Sequence, residues 1–227
     1  MFKYKQSVLN IVKILGDNNM TKANRREREL EIRREDIIEA AEKLFFSKGY
    51  DNVSMNDIAE EAEMARGTLY KYFKNKEDIY AAIAIKAAEM IGEEFQELLN
   101  KKQTGIEKMR SICQFYYDFY KKYPGYYDAY YSSGMFKIDG SPFLKQLKEI
   151  RKRSFKIAVN AVKTGIEDGS LRKSLDPVVT TLYLLATANN INNINPVTQM
   201  YMDEYELTQD KIFELTLDMA LRSIEKK

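Results

Sequence analysis

The stretch DNVSMNDIAEEAEMARGTLYKYFKNKEDIY, Asp51 to Tyr80, limits the fold more than any other part of the chain. It holds two helix starts so close together that only short helices fit between them. Ser54 with Asp57 three residues on is a capping-box arrangement, in which a hydroxyl and a carboxylate satisfy free backbone N–H groups at a helix N-terminus. It predicts a short helix from about Met55 to Ala62. Asn75 with Asp78 marks the second start, and apolar positions Ile79, Ile83, Ala87 and Met90 continue that helix toward Asn100. Between the two, Leu69 and Phe73 lie four apart on one face, while Arg66, Gly67 and Lys71 fall largely on another. A third helix must therefore begin almost as soon as the first has ended.

Upstream, Ile37, Ala41, Leu44 and Phe45 form one helical stripe, and Lys48 and Gly49 supply the cation and glycine expected where a helix stops. From Arg33 onward the hydrophobic period is helical nearly everywhere, and four prolines and few β-branched alternations leave little room for strands. The chain reads as all-α, with an N-terminal three-helix helix-turn-helix domain joined to a C-terminal helical domain. Expected boundaries are 1–32 for an N-terminal extension and basic arm, 33–81 for the helix-turn-helix domain and 82–227 for the helical remainder.

Two helices joined by a tight turn can present the second to the major groove of DNA. The charges here are sorted accordingly. Asp51 to Glu63 contains five acids and no base, whereas Met64 to Lys76 contains Arg66, Lys71, Lys74 and Lys76 and no acid. The net charge of +2 does not announce a polyanion partner, so this local sorting carries the inference. Gly67 costs roughly 0.5 to 1 kcal/mol relative to alanine inside a helix, which makes sense where the backbone must lie against a neighbouring surface. Lys76, at a fresh helix N-terminus, is placed to share a phosphate with the N–H groups there. Taken singly, a helical glycine is more often a packing accommodation and scattered lysines a solvated face; their combination favours DNA.

The segment IIEAAEKLFFSKGYDNVSMNDIAEEAEMARGTLYKYFKNKEDIY, about Ile37 to Tyr80, resembles the DNA-binding domain of the TetR family of bacterial transcriptional regulators. LFFSKGYDNVSMNDIA and GTLYKYFKNKEDIY match the family pattern at nearly every position. The resemblance implies that Arg66, Gly67 and Thr68 face base edges or the adjacent backbone, that Tyr70, Lys71, Tyr72 and Lys76 hold phosphates, and that Ser54 and Asn56 sit beside the same duplex. Arg66 is the candidate for reading sequence, since a guanidinium pairs bidentately with guanine. Two positions depart from the pattern: Glu63 stands in the turn where the family commonly has glycine, and Tyr72 replaces a frequent histidine.

Before the first helix, TKANRRERELEIRR contains six basic and three acidic residues. It is expected to be either a flexible arm reaching the minor groove through Arg25, Arg26 and Arg28 or a frayed, solvated first turn. Residues 1–19 hold a short apolar run, interrupted by Asn10 and Lys13, that is too short to span a bilayer and lacks a signal-peptide cleavage site. Either Val8, Ile11 and Leu15 line one helical face, or Met20 is the working start.

One cysteine, Cys113, and no histidine exclude an internal disulfide, a histidine-ligated zinc and a histidine-based triad. A cytoplasmic location fits best. No glycine-rich phosphate loop or metal-ligand cluster occurs beyond Ala82, so neither an enzyme nor a cofactor is expected. Eight of sixteen tyrosines fall between Tyr116 and Tyr131, in two helices divided at Pro124 and Gly125. Tyr116, Tyr120, Tyr123, Tyr127 and Tyr130 are the candidates for a pocket enclosing an apolar molecule, because a tyrosine offers a broad apolar body with one polar end; ordinary core packing is the competing reading for each. The resemblance likewise implies a small-molecule effector in the C-terminal domain. Val178 to Ile194, with Leu182, Leu185, Ala186 and Ala188, and Leu207 to Ile224, with Phe213, Leu217, Ala220 and Leu221, are expected to form either a homodimer interface or buried core. The Asn-rich run from Asn189 to Pro196 is expected to end a helix rather than to bind a ligand.

The function expected from these readings is a ligand-responsive dimeric repressor of a palindromic DNA operator. The alternatives are an activator, or a helical small-molecule-binding protein that does not act on DNA.

Overall fold

A computed structural model describes residues 22–99, 102–136 and 140–226, so the apolar run before Met20 lies outside the described residues. Ten α-helices occur among them: α1 Lys22–Lys48, α2 Met55–Glu61, α3 Arg66–Tyr72, α4 Lys76–Leu99, α5 Gly105–Lys122, α6 Pro124–Ser132, α7 Pro142–Asp168, α8 Pro177–Asn192, α9 Pro196–Glu204 and α10 Gln209–Ile224. The chain divides into two compact units between Tyr72 and Phe73.

In the first unit, Ile37, Ala41, Leu44 and Phe45 of α1 are buried, as are Val53, Ile58, Ala59 and Leu69. α2 packs against both α1 and α3. The Ser54 capping box is present: its Oγ accepts from the Asp57 N–H at 3.2 Å, and its own N–H donates to Asp57 Oδ2 at 2.8 Å. The hydrogen bonds from the Ser54 hydroxyl and backbone hold the Asp57 carboxyl below the ordinary Asp value.

Residues 22–34 are not a flexible arm: they form the first turns of α1, and Arg25, Arg26 and Arg28 are exposed along that helix. The run contains no glycine or proline and is rich in arginine and glutamate, both good helix formers. Side-chain pairs one turn apart add a little support, Arg34 with Glu31 at 3.2 Å and Arg33 with Asp36 at 3.9 Å.

α2 stops in a Schellman motif. The Met64 N–H donates to the Ala59 carbonyl at 2.9 Å and the Glu63 N–H to the Glu60 carbonyl at 3.0 Å, which places Glu63 in the left-handed region at φ 51°. That conformation crowds a Cβ and is the reason glycine prevails at such positions. Glu63→Gly should therefore stabilise the protein by about 0.5 to 1 kcal/mol, since relief of strain outweighs the added freedom of the unfolded chain. Urea denaturation checks this; a midpoint that falls would mean that the carboxylate makes a compensating interaction.

In the second unit, α4 packs on α6 and α7, α5 on α7 and α8, and α8 on α10. Asn75 caps α4 by accepting from the Asp78 N–H at 2.8 Å. Pro124 stands at the first turn of α6, where its missing N–H costs nothing. α5 and α7 cross at two glycines, Gly105 and Gly165, both buried. The Gly105 N–H donates to Asp168 Oδ2 at 2.8 Å and the Ile106 N–H to Ser170 Oγ at 3.3 Å, so the last residue of α7 and the turn after it cap the start of α5.

The expected C-terminal interface residues divide differently. Phe213, Leu217, Ala220 and Leu221 of α10 are core within the subunit, as is Ala188 of α8. The apolar side chains left in solvent are Val178, Val179, Leu182 and Tyr183 on α8 and Leu215 and Met219 on α10. Helical periodicity marked Phe213, Leu217, Ala220 and Leu221 without revealing whether a partner or their own subunit covers them, and it did not mark Leu215 and Met219. No helix among the described residues is long and apolar enough to cross a membrane.

Candidate functional site

Leu69 anchors α3 by its buried side, which leaves Arg66, Gly67, Tyr70 and Lys71 exposed and Thr68 and Tyr72 half-exposed. The Arg66 guanidinium lies 5.6 Å from the centre of the Tyr70 ring, one turn along the same face. This contact holds a long side chain out along the helix surface without neutralising it. A Cβ built on Gly67 meets nothing within 4 Å, so no packing inside the protein requires glycine there.

Ser54 and Asn56 are exposed at the start of α2. The Ser54 hydroxyl is already engaged, donating to Asp57 Oδ2 at 2.7 Å. Lys76, half-exposed, begins α4. The acids of α2 and its turn gather together: Asp57, Glu60, Glu61 and Glu63 line a shallow groove with Leu44 and Lys48. Glu61 also accepts an ion pair from Lys43 at 2.5 Å. On α3 itself, Arg66 and Lys71 are exposed and form no ion pair among the described residues, so the helix presents a cationic face.

The second unit holds a cavity of about 370 Å³. Tyr116 of α5 and Tyr130 and Tyr131 of α6 line one side. Arg151, Ser154, Phe155 and Ala158 of α7 and Leu182, Leu185, Ala186 and Asn189 of α8 line the rest. Burial pushes the phenols of Tyr116, Tyr130 and Tyr131 above their ordinary value, so they remain neutral donors at any physiological pH.

Of the five tyrosines expected around a pocket, Tyr116 and Tyr130 line this cavity, while Tyr120, Tyr123 and Tyr127 do not. Tyr127 is fully buried behind it, donating to Asn189 Oδ1 at 2.5 Å and accepting from Asn192 Nδ2 at 2.9 Å. Tyr120 packs edge-on against the Tyr127 ring, with ring centres 5.1 Å apart, and Tyr123 packs against Phe119 at 5.5 Å. These rings are needed to fill the space between α5 and α6. The Asn-rich run does end α8, with Asn193 as its C-cap. Its first residue, Asn189, also lines the cavity. Arg151 and Phe155 escaped the sequence reading, because a tyrosine cluster draws attention to its own helices and not to one cation among many on a neighbouring basic helix; Tyr131 was counted in the cluster but not among the pocket candidates.

Among the described residues no group of cysteines and carboxylates is placed to hold a metal ion. Cys113 is buried and its thiol is pushed up to about 12 by that burial, which makes it an inert packing residue.

The family model for bacterial regulatory proteins of the tetR family matches residues 37–83, the segment that contains α2, α3 and the start of α4. The fatty acid metabolism regulator protein of Bacillus subtilis (strain 168) is 24% identical over 192 residues, covering 84% of this chain and 95% of that protein. Two solved structures share the architecture. FadR from Bacillus subtilis in complex with stearoyl-CoA aligns with a TM-score of 0.63 at 22% identity, covering 84% of this chain and 98% of that one. AibR in complex with isovaleryl coenzyme A and operator DNA aligns with a TM-score of 0.64 at 19% identity, covering 82% and 97%. A short capped helix, a Schellman turn, and a cationic helix inside the matched segment all converge on one conclusion: the chain belongs to the tetR family of bacterial regulatory proteins and is a DNA-binding transcriptional regulator.

Proposed function

We propose that this regulator is a homodimeric repressor that binds a nearly palindromic operator through two copies of α3 and is released by a small effector carrying an acyl chain. The exposed cationic face of α3 is the observation that carries the DNA part. Arg66 reads a base edge, Gly67 and Thr68 allow the helix close to the duplex, and Tyr70, Lys71, Tyr72 and Lys76 hold phosphates beside Ser54 and Asn56. Arg25, Arg26 and Arg28, on the exposed first turns of α1, add cationic charge on a helical extension. Residues 33–81 carry this task and residues 82–227 the effector and dimer tasks.

The dimer reading is supported by exposed apolar side chains on two helices that pack together: Leu182 is 54% and Met219 71% exposed. Two such helices from each copy would bury that surface as a four-helix interface, and a two-fold dimer meets successive major grooves of an operator roughly 34 Å apart, one turn of DNA. The effector reading is supported by the tyrosine-lined cavity and by the acyl-CoA named in the two structures above. A ligand bound more tightly to a conformation with the wrong α3 spacing weakens operator binding, and by linkage the operator weakens the ligand to the same degree.

Genome-wide footprinting with the purified protein identifies the operator, and repetition with acyl-CoAs of graded length tests release. On that operator, Arg66→Ala should cost roughly 1 to 3 kcal/mol per half-site while leaving random-sequence DNA nearly unaffected. Lys76→Ala should instead weaken both alike and lower the salt slope by about one per subunit. Equal losses for Arg66→Ala on operator and random DNA would remove its base-reading role, and no salt-dependent DNA binding at all would remove the α3 assignment.

A further inference from the structure

Arg151 is an odd residue in its own helix. Nearby on α7, Lys148, Lys152 and Arg153 are exposed, and Lys152 pairs with Glu149 at 2.8 Å. Arg151 is half-buried and lines the cavity. One of its terminal nitrogens donates to Ser133 Oγ at 3.0 Å, and its guanidinium carbon lies 5.0 Å from the centre of the Tyr130 ring. These partners are neutral. Among the described residues, no carboxylate forms an ion pair with it. Burial lowers its pKa, a sign that the surroundings do not compensate the charge fully. A guanidinium carries five N–H donors, and the bond to Ser133 leaves others to point elsewhere.

The cavity is thus two-ended. Phe155, Ala158, Leu182 and Leu185 offer an apolar wall, and Arg151 beside Tyr116 and Tyr130 offers a cationic, more polar corner. An unneutralised cation beside apolar side chains is costly unless an anion joins it. A planar fork with neighbouring hydroxyl donors matches an oxyanion.

We propose that Arg151 is the specificity-determining residue of the cavity and that it pairs with an oxyanion, carboxylate or phosphate, borne on an apolar body. This rests on the effector reading above and adds the chemistry that the cavity recognises. A neutral molecule with the same hydrocarbon body leaves the guanidinium unpaired and is discriminated against.

The test is isothermal titration calorimetry of the full-length protein with three ligands of one chain length: decanol, decanoate and decanoyl-CoA. The wild-type protein should bind decanoate or decanoyl-CoA about ten- to a hundredfold more tightly than decanol, the worth of a charge-assisted pair. Preference for decanoate identifies a carboxylate as the partner, and preference for decanoyl-CoA alone identifies the phosphates. Arg151→Met should abolish the preference while decanol binds as before. Should Arg151→Met not fold, by circular dichroism, Arg151→Gln retains a donor for Ser133 and makes the same comparison. Equal affinities for all three ligands in the wild type, or a preference that survives in the folded variant, overturns the role of Arg151 and leaves the cavity reading standing. No binding of any of the three overturns the cavity reading and this inference with it.

Discussion

Gly105→Ala is expected to be the most damaging conservative substitution in the molecule. At the crossing of α5 and α7, a Cβ on Gly105 would lie 2.0 Å from the Gly165 nitrogen, 2.2 Å from the Gly165 Cα and 2.5 Å from the Ala161 carbonyl oxygen. All three are backbone atoms of α7, so no side-chain rotation relieves the overlap and the two helices must separate. That separation also breaks the hydrogen bond from the Gly105 N–H to Asp168 and loosens the burial of Met109 and Val162 nearby in the same two helices. Overpacking against side chains costs about 1 to 3 kcal/mol, and a backbone-to-backbone clash lies at or above the upper end. Against a total stability of about 5 to 15 kcal/mol, the melting temperature should fall by roughly 10 °C. The natural control is Gly67→Ala. Its Cβ meets nothing, and alanine is the better helix former by about 1 kcal/mol. Stability should hold or rise there while operator affinity drops. A melting temperature for Gly105→Ala within about 2 °C of wild type would mean that the two helices are not packed this closely in solution.

Asp78→Ala should produce the second large loss. Asp78 is 2% exposed near the N-terminus of α4, and its carboxylate accepts from Ser141 Oγ at 2.5 Å and, weakly, from the Lys74 N–H at 3.4 Å. Ser141 in turn caps α7 by accepting from the Leu144 N–H at 3.2 Å. One carboxylate therefore ties the starts of α4 and α7 together and sits at the positive end of the α4 dipole. Hydrogen bonds to a charged group contribute about 1.5 to 3 kcal/mol, and a helix dipole adds up to about 2 in a buried setting. A loss of about 3 kcal/mol is expected, read as a lower urea midpoint with the slope unchanged. Asp78→Asn, which keeps the shape and one acceptor, should lose less. A change below about 0.5 kcal/mol for Asp78→Ala, the range of an ordinary surface substitution, would mean that the tie is solvated and interchangeable with water.

Much of the N-terminal unit was legible along the chain because its determinants are local. Ser54 and Asp57, or Asn75 and Asp78, meet within one helical turn, so a spacing of three residues is already the geometry of the contact. The turn was legible for the same reason, and Glu63 stood out as a departure from the family pattern before its left-handed backbone was seen. The start of α1 was left open between a flexible arm and solvated helical turns because charge density was weighed against helix propensity. Arg25, Arg26 and Arg28 lie in a run of strong helix formers with nothing to break it.

The C-terminal unit was legible only in outline. A tyrosine cluster announces α5 and α6, but whether Tyr127 faces a cavity or the core depends on Asn189 and Asn192, more than sixty residues away. Likewise, α10 has apolar residues on two sides, and only the placement of α5 and α8 shows that Phe213 and Leu217 are inside while Leu215 and Met219 are left in water.

The sequence by itself determined the helical class, the order of the short helices, their caps, and the cationic face of α3, all set by interactions within a few residues. The tertiary structure alone decided which tyrosines border the cavity, that Arg151 stands among them, and why Gly105 can be nothing larger. Each of these depends on side chains or backbone brought together from distant helices, and helical periodicity states which residues share a face without stating what that face will meet.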